Sequence, residues 1–370
     1  MESTKNGNQR LLYEANASKA TRLYKPPILT ELFRGPYKLS QPGWIWWVKT
    51  PDVLESLSVI DRFFGDKNSD NVMLLELGNI RDCHLKRRYY RFIDPNIPSL
   101  CYFAKHNIKI SFKKRVGALL AIRGPFVGRL HMTMECINTA KLSINTPFGV
   151  PVLAFGEYIK YGMPKEQIII QPFLKDYKTF YHCWDSNMSF DERVQLIIKL
   201  IDMLKILNKL QICHRDLHLK NIFVSNNKND PFKIIDCEAL DFDIISSLAT
   251  AVNLGLVLYD LNGRRRTISK ELEEAAQKLL EYVAANGPYF EKACRILSLL
   301  VCFSFYSKKS IKNQIFLEKK VKIEQIESKL KLEDSKYPKN QNWEAYGKKH
   351  EKELVDALNV AIKLHQKINR

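Results

Sequence analysis

Apolar residues recur along this chain with two different spacings, which predict two kinds of structure in its two halves. Short apolar and aromatic runs, separated by turn residues, are typical of strands and lie at 72–77, 85–92, 100–104, 152–156 and 168–170. One helix is predicted among them, at about 127–142. From residue 189 onwards the apolar positions lie three and four residues apart, as in helices. The pattern predicts an α+β chain, with a small antiparallel sheet followed by a mostly helical part.

The longest predicted helix of the second half begins at a capping box. Ser189 precedes it, and Glu192 stands three residues later, ahead of apolar positions that repeat as far as residue 207. Further helices are predicted at 269–285, 289–306 and 349–368. The last of them is amphipathic, with an apolar stripe formed by Leu354, Leu358 and Ile362. We expect this stripe to pack on the rest of the protein; the alternative is a basic helix lying on a membrane surface.

The N-terminal part contains two distinct segments. The first 40 residues are polar and then mixed, with prolines at 26, 27 and 36, so we expect a loosely ordered extension. The run 43–49 then brings Trp44, Trp46 and Trp47 together. One interpretation is an interfacial membrane anchor. The other is a buried strand, which the usual burial of large aromatic side chains favours.

Length and composition permit two modest cores, because the chain has 370 residues of which 45% are hydrophobic. We divide it into an N-terminal extension (1–75), an N-terminal lobe of sheet plus helix (76–172), a helical C-terminal lobe (173–306) and a basic helical extension (307–370). Lys and Arg number 58 against 40 Asp and Glu, a net charge of +18. Twelve basic residues lie between 81 and 130, with Asp82 and Asp94 as the only acids there. This surplus favours an anionic partner: nucleic acid, nucleotide, phosphorylated glycan or a membrane surface.

Cysteine usage and hydropathy indicate the compartment. None of the eight cysteines stands in a Cys-x-x-Cys pair, which argues against a zinc site and for reduced thiols in the cytosol. The polar start, 1–19, lacks the apolar core of a signal peptide. The longest late apolar run, 296–306, is shorter than the ~20 residues needed to span a bilayer. We expect a cytoplasmic protein without a transmembrane segment.

Polar residues suited to phosphoryl transfer from ATP lie in the stretch 212–238. Asp216 and Asn221 share one predicted loop, and Asp236 follows an apolar run. The runs 222–224 and 232–235 would form a hairpin, which would place Asn221 and Asp236 at its open end. Asp216 would accept the proton of an acceptor hydroxyl. Asn221 and Asp236 would supply oxygen ligands to Mg²⁺. Any one of them alone is more often a loop cap or a surface residue, but their spacing and flanking strands favour the catalytic interpretation.

The same stretch resembles a known fold. His214-Arg215-Asp216-Leu217 with Asn221 resembles the catalytic loop of the protein-kinase-like fold, and Ile235-Asp236-Cys237-Glu238 resembles its metal-binding Asp motif. His218 stands where protein kinases commonly carry a lysine, which is similar to bacterial small-molecule and glycolipid kinases. Cys-Glu in place of Phe-Gly argues against a switchable protein kinase.

Upstream segments are similar, in order and character, to the lipopolysaccharide core kinases, the heptose and Kdo kinase family. These segments are Tyr102-Phe103-Ala104-Lys105-His106, Phe112-Lys113-Lys114, 119–125, Gly128, Glu135 and 149–157, and the similarity covers about 80–245. The resemblance implies a bilobal kinase fold, ATP and Mg²⁺ as cofactors, and a heptose or Kdo hydroxyl of the lipopolysaccharide inner core as acceptor. By it, Lys105 would pair the α/β-phosphates and Glu135 would hold Lys105. Gln171, in the segment 171–173 that would connect the lobes, joins the cofactor-binding set.

Two points of the nucleotide site stay open in the sequence. Lys113 or Lys114 stands closer to Glu135 than Lys105 does, but Lys105 ends an apolar strand in the manner of the Val-Ala-Ile-Lys signature. No glycine occurs between residues 78 and 117, so the Gly-rich loop that covers ATP phosphates is missing. A hypothesis is that positive charge substitutes for it, from Arg87, Arg88 or Arg91.

Alternative functions and partners follow from the same residues. A small-molecule or Ser/Thr protein kinase of the same fold is one alternative, and a catalytically silent module that binds glycolipid is another. For the main interpretation we expect a lipid-linked anionic glycan as partner, contact of basic segments with the cytoplasmic face of the inner membrane, and no nucleic acid. The sequence predicts no oligomeric state.

Overall fold

The structure, a computed structural model, describes residues 22–39, 41–51, 53–54, 57, 74–82, 85–93, 101–123, 126–127, 131–185, 188–264, 268–284, 289–302 and 341–369. The chain divides into two compact units. The sheet unit comprises residues 1–175 with 236–238, and the helical unit comprises 176–235 with 239–370. The four-part division expected from the sequence stays a prediction.

The sheet unit is built on a seven-stranded antiparallel sheet of order β1-β2-β6-β7-β5-β4-β3. Its strands are β1 (Arg34–Tyr37), β2 (Trp44–Val48), β3 (Leu74–Asp82), β4 (Leu85–Ile93), β5 (Cys101–Ile110), β6 (Ala154–Lys160) and β7 (Met163–Pro172). Its helices are α1 (Pro27–Leu32), α2 (Phe112–Leu120) and α3 (Met132–Asn145). The predicted strands are therefore present. The helix predicted at 127–142 begins later, at Met132, where the His131 side chain caps it.

Successive residues of a strand point to opposite sides, and the central strands of the sheet bury side chains on both faces. On one side, Trp46 and Ile168 belong to one apolar cluster. On the other, Trp47 and Ile169 pack with residues of α3. Lys105 lies opposite Ile169 in the register of β5 and β7, so its side chain lies on the α3 side.

The N-terminal segments belong to this sheet. All five residues of β2 are buried, and the indoles of Trp46 and Trp47 are fully enclosed. The buried-strand interpretation of the tryptophan-rich run is therefore the correct one. The expectation of a loosely ordered extension is wrong for 27–37, because α1 forms there and β1 pairs with β2.

The helical unit consists mostly of helices in its described residues. These are α4 (Phe180–Asp185), α5 (Phe190–Lys209), α6 (Ser246–Leu261), α7 (Lys270–Ala284), α8 (Phe290–Cys302) and α9 (Gln341–Ile368). Five short strands complete it: β8 (Tyr177–Thr179), β9 (Cys213–His214), β10 (Ile222–Ser225), β11 (Lys233–Ile234) and β12 (Leu240–Asp241). The predicted hairpin is β10 with β11, and the predicted capping box opens α5, with both of its hydrogen bonds formed.

The last helix packs on its own unit. Leu354, Leu358 and Ile362 are buried, and α9 contacts α5 and α7. His365 adds polar contacts, with its Nε2 at 2.7 Å from Asp202 Oδ1 and its Nδ1 at 2.7 Å from the Tyr282 hydroxyl. Packing is therefore the correct interpretation of the amphipathic stripe.

The predicted α+β class is confirmed, with an antiparallel sheet in one unit and a mostly helical second unit. Among the described residues, no helix is both long enough and apolar enough to cross a membrane.

Candidate active site

A buried lysine joins three elements of the sheet unit. Lys105, in the middle of β5, places its Nζ 2.5 Å from Glu135 Oε1 in the first turn of α3 and 2.8 Å from Asp236 Oδ1. Burial opposes its charge, but Glu135 and Asp236 outweigh burial and raise the pKa of Lys105. The ammonium group is therefore charged throughout the physiological range.

Asp236 has an unusual backbone conformation, with φ of 58° in the left-handed region. Residues other than glycine adopt it at a cost in energy, and such residues cluster at functional sites. The next residue is tied to α3, because the Asn138 side-chain amide donates to the Cys237 carbonyl at 2.9 Å. Burial raises the pKa of the Cys237 thiol to about 12, so this cysteine is a neutral packing residue. The turn at Asp236 is thus anchored to α3 through the main chain of Cys237.

Three carboxylates gather beside Lys105. Glu135, Asp236 and Glu238 each bring one oxygen within 4.8 Å of the others. The Oε2 atom of Glu135 is buried and makes no hydrogen bond. Two cations offset part of the negative charge of the cluster: Arg87 of β4 approaches Glu238 at 3.7 Å, and Lys105 contacts the other two carboxylates. These hard oxygen donors fit Mg²⁺, and the two cations fit phosphate.

The helical unit holds the predicted catalytic loop. The Asp216 carboxylate is partly exposed, at 32%, and its Oδ1 lies 3.1 Å from His218 Nε2. Asn221 donates from its side-chain amide to the Asp216 carbonyl at 2.8 Å, so its oxygen is the atom suited to a cation. The Ile235 amide donates to the Asn221 carbonyl, which closes the hairpin directly before Asp236. The loop therefore presents Asp216 and Asn221 on a fixed backbone.

His218 links Asp216 to a buried carboxylate. Its Nδ1 lies 3.5 Å from Asp260 Oδ2, and that oxygen accepts the Leu219 amide at 3.1 Å. Burial opposes the charge on His218, but its contacts with Asp216 and Asp260 outweigh burial and raise its pKa. The raised pKa favours the charged imidazole, and the contact at 3.1 Å restrains the Asp216 carboxylate.

His214 and Asn253 hold the backbone of the predicted catalytic loop through hydrogen bonds. The Asn253 side chain accepts from the His214 amide and donates to the Ile212 carbonyl, at 2.9 and 3.0 Å. The His214 ring contacts the Ile235 carbonyl and accepts from the Asp216 amide. These two contacts of the His214 ring are with backbone atoms, which agrees with a structural role.

Three features together are typical of one fold: a strand lysine paired with a glutamate of a later helix, a loop with Asp and Asn five residues apart, and an Asp that follows a hairpin. The chain has the protein-kinase-like fold. It is similar to a solved structure of WaaP in complex with acyl carrier protein, at 13% identity and a TM-score of 0.43, covering 73% of this chain and 99% of that chain. It is also similar to the autoinhibited serine kinase domain of the giant muscle protein titin, at 14% identity and a TM-score of 0.35, covering 67% and 80%. No protein-family model and no curated protein matches the sequence.

The remaining predicted residue, Gln171, lies near the end of β7. Its side-chain amide donates to the Val150 carbonyl at 3.2 Å. Its role in binding a cofactor stays a prediction, as do the roles of the other site residues.

Sequence reasoning missed three supporting residues. Asn138, Asn253 and Asp260 hold the Asp236 turn and the catalytic loop. The sequence does contain a signal for Asn253 and Asp260. The helix α6 is otherwise almost entirely apolar, and these two polar side chains stand seven positions apart, on one face of it. Such buried polar residues in an apolar helix need partners, and the catalytic loop supplies them.

Proposed function

We propose that this protein is an ATP-dependent kinase that phosphorylates a heptose or Kdo hydroxyl of the lipopolysaccharide inner core. The observation that carries the proposal is the buried Lys105–Glu135 ion pair at 2.5 Å. In protein kinases the corresponding pair must be formed for phosphoryl transfer. Buried ion pairs contribute little net stability, so a functional reason for this one is favoured.

Each predicted residue receives a role in this proposal. Lys105 binds the α/β-phosphates, and Glu135 holds its ammonium group. Asp216 accepts a hydrogen bond from the acceptor hydroxyl and takes its proton as the new O–P bond forms. His218 orients the Asp216 carboxylate. Gln171 belongs to the nucleotide-binding set.

Asn221 and Asp236 would hold Mg²⁺ through their side-chain oxygens. A bound cation would supply positive charge against the phosphates of ATP during the transfer. The left-handed backbone of Asp236 supports this role, because residues held in such costly conformations cluster at functional sites.

The acceptor class is inferred from two features. Only residues 237–245 separate Asp236 from α6, and within them β12 pairs with β9. Protein kinases carry a phosphorylatable activation loop in the corresponding position. The short, paired segment therefore favours a small acceptor over an extended peptide. The excess of basic residues favours one that carries negative charge, such as a phosphorylated glycan at a membrane surface.

Three acceptors test the proposal with purified protein and Mg–ATP: lipopolysaccharide carrying the inner core, a free sugar of the same class, and a generic protein. Mass spectrometry of the glycolipid should find one added phosphate on an inner-core sugar, and Asp216→Asn should slow the addition strongly. Transfer to the protein or the free sugar alone would support a different kinase of this fold. ATP binding without turnover on any acceptor would support a catalytically silent module.

A cellular experiment is independent of the choice of acceptor. Outer-membrane glycolipid from cells that lack this protein should have lost one phosphate group, as measured by mass spectrometry. An unchanged glycolipid would contradict the proposed substrate class.

A further inference from the structure

The strands that would carry a Gly-rich loop contain no glycine at their connection. β3 and β4 form an antiparallel pair, and only Cys83 and His84 connect them in the sequence. Glycines let backbone amides approach phosphates, so a nucleotide site without them needs donors from side chains. β4 carries three arginines, at positions 87, 88 and 91.

The sheet register separates these arginines. Arg87 lies opposite Asn107 and Tyr89 lies opposite Lys105, so Arg87 shares the face that carries Lys105. Arg88 lies opposite His106 and belongs to the other face. A phosphate beside Lys105 is therefore within the reach of Arg87 and not of Arg88.

Arg91 shares the face of Lys105 but has its own partners near the end of the strand. Its guanidinium lies 4.9 Å from the centre of the Phe173 ring, and its Nε donates to Cys101 Sγ at 3.1 Å. These contacts explain its position without a ligand.

Arg87 is buried, with 7% exposed, and its guanidinium is aimed at the carboxylate cluster. Its Nε donates to Asn107 Oδ1 at 2.7 Å, which orients the group. Its Nη2 lies 3.7 Å from Glu238 Oε2, beyond hydrogen-bond distance. Burial opposes its charge, but Glu135 and Glu238 outweigh burial and raise the pKa of Arg87.

We propose that Arg87 binds nucleotide phosphate in place of the missing Gly-rich loop, and that Asn107 is its positioning residue. The inference rests on the proposed function, since it names a phosphate contact of the same site. A guanidinium is suited to the task because its planar fork binds two phosphate oxygens at once. The contact of Arg87 with Glu238 is a long one, so a phosphate oxygen does not have to displace a short bond to that carboxylate.

Calorimetric binding of ATP, ADP and adenosine to the full-length protein tests this inference without turnover. Arg87→Gln should weaken ATP binding on the order of 10- to 100-fold, as expected for one charge-assisted contact, and leave adenosine binding within about twofold. Arg88→Gln, the matched control on the other face, should bind ATP like the wild type. Asn107→Ala should weaken ATP binding less than Arg87→Gln and have no further effect when the two are combined.

Equal ATP affinity of Arg87→Gln and wild type would overturn the inference while leaving the proposed function intact. An equal loss of ATP and adenosine binding would overturn it too, since that pattern reports a damaged structure. If Arg87→Gln does not fold, Arg87→Lys is the deciding variant. It keeps the positive charge but loses the planar guanidinium that binds two phosphate oxygens, so an unchanged ATP affinity would contradict the inference. A wild-type protein that binds no ATP would overturn the proposed function as well.

Discussion

Lys105 and Asp236 stand 131 residues apart in the sequence and form an ion pair of 2.8 Å. The same ammonium group contacts Glu135 on α3. One cation therefore connects a strand, a helix and the left-handed turn of Asp236 within the sheet unit. Its loss should affect both stability and any phosphoryl transfer.

Lys105→Met should lower the free energy of unfolding by about 3 kcal/mol, because it leaves the buried Glu135 carboxylate without its partner. Urea unfolding measures this change. Lys105→Met combined with Glu135→Gln should recover part of the loss, since no buried charge then remains unpaired. Lys113→Met, on an exposed lysine of α2, is the control and should be neutral. Equal stability of the single and double variants would contradict the expectation.

Asp216→Asn should lower the rate of phosphoryl transfer by about 10² to 10⁴, the usual contribution of a general base. The affinity for ATP should stay within about twofold, because the proposed phosphate contacts lie on other residues. Steady-state kinetics and calorimetry measure the two quantities separately. Asp191→Asn, at an exposed position of α5, serves as the control. A variant with normal turnover would exclude Asp216 as the base.

His131 should make the protein less stable as the pH falls from about 6.5 to 4. Its Nε2–H donates to the Ile122 carbonyl at 2.8 Å and its Nδ1 accepts from the Met134 amide, so both nitrogens are engaged in the neutral form. Burial lowers the pKa of His131 to about 4. Below about pH 6.5 the unfolded chain therefore binds a proton at this histidine, whereas the folded protein does not. The resulting loss of unfolding free energy approaches roughly 3 kcal/mol at pH 4.

The His131→Asn variant isolates this dependence. Asparagine can cap α3 but does not titrate, so the difference in unfolding free energy between variant and wild type should change with pH between 6.5 and 4. Urea unfolding at a series of pH values in this range provides the measurement. Two parallel stability curves would contradict the role of His131.

Leu358→Ala should destabilise the protein by about 2 to 5 kcal/mol, because this side chain of α9 is fully buried. Leu364→Ala, on the same helix but partly exposed, should cost less than about 1 kcal/mol. Thermal or urea unfolding compares them. If Leu358→Ala left stability unchanged but weakened binding to anionic vesicles, the membrane interpretation of this helix would be the better one.

Elements with a local signal could be predicted from the sequence. The capping box at Ser189 and Glu192 predicts the start of α5, because both partners lie within one helical turn. Lys105 could be separated from Lys113 and Lys114 because an apolar strand precedes it, and the structure has the other two lysines on α2. The contact of Lys105 with Glu135 was available only from the resemblance to the kinase fold, because α2 lies between the strand and the helix that carry the two residues.

Elements that depend on distant partners could not be predicted in the same way. β2 pairs with β6, more than a hundred residues later, and no local pattern specifies that register. The choice of Arg87 among three arginines needs the register of β4 against β5. Asp260 is an intermediate case: its charge in an apolar helix indicates a buried partner, but the identity of that partner, the loop of His218, is a tertiary fact.

The packing of α9 on α5 has a consequence for biosynthesis. His365 and Asp202 are separated by 163 residues. At translation rates of about 5 to 20 residues per second, α5 emerges roughly 10 to 30 s before the helix that covers it. During that interval the apolar surface of α5 that faces α9 is open to solvent. Transiently exposed apolar surface of this kind favours aggregation, so we expect the yield of folded protein to depend on how fast α9 is synthesised and packs on α5.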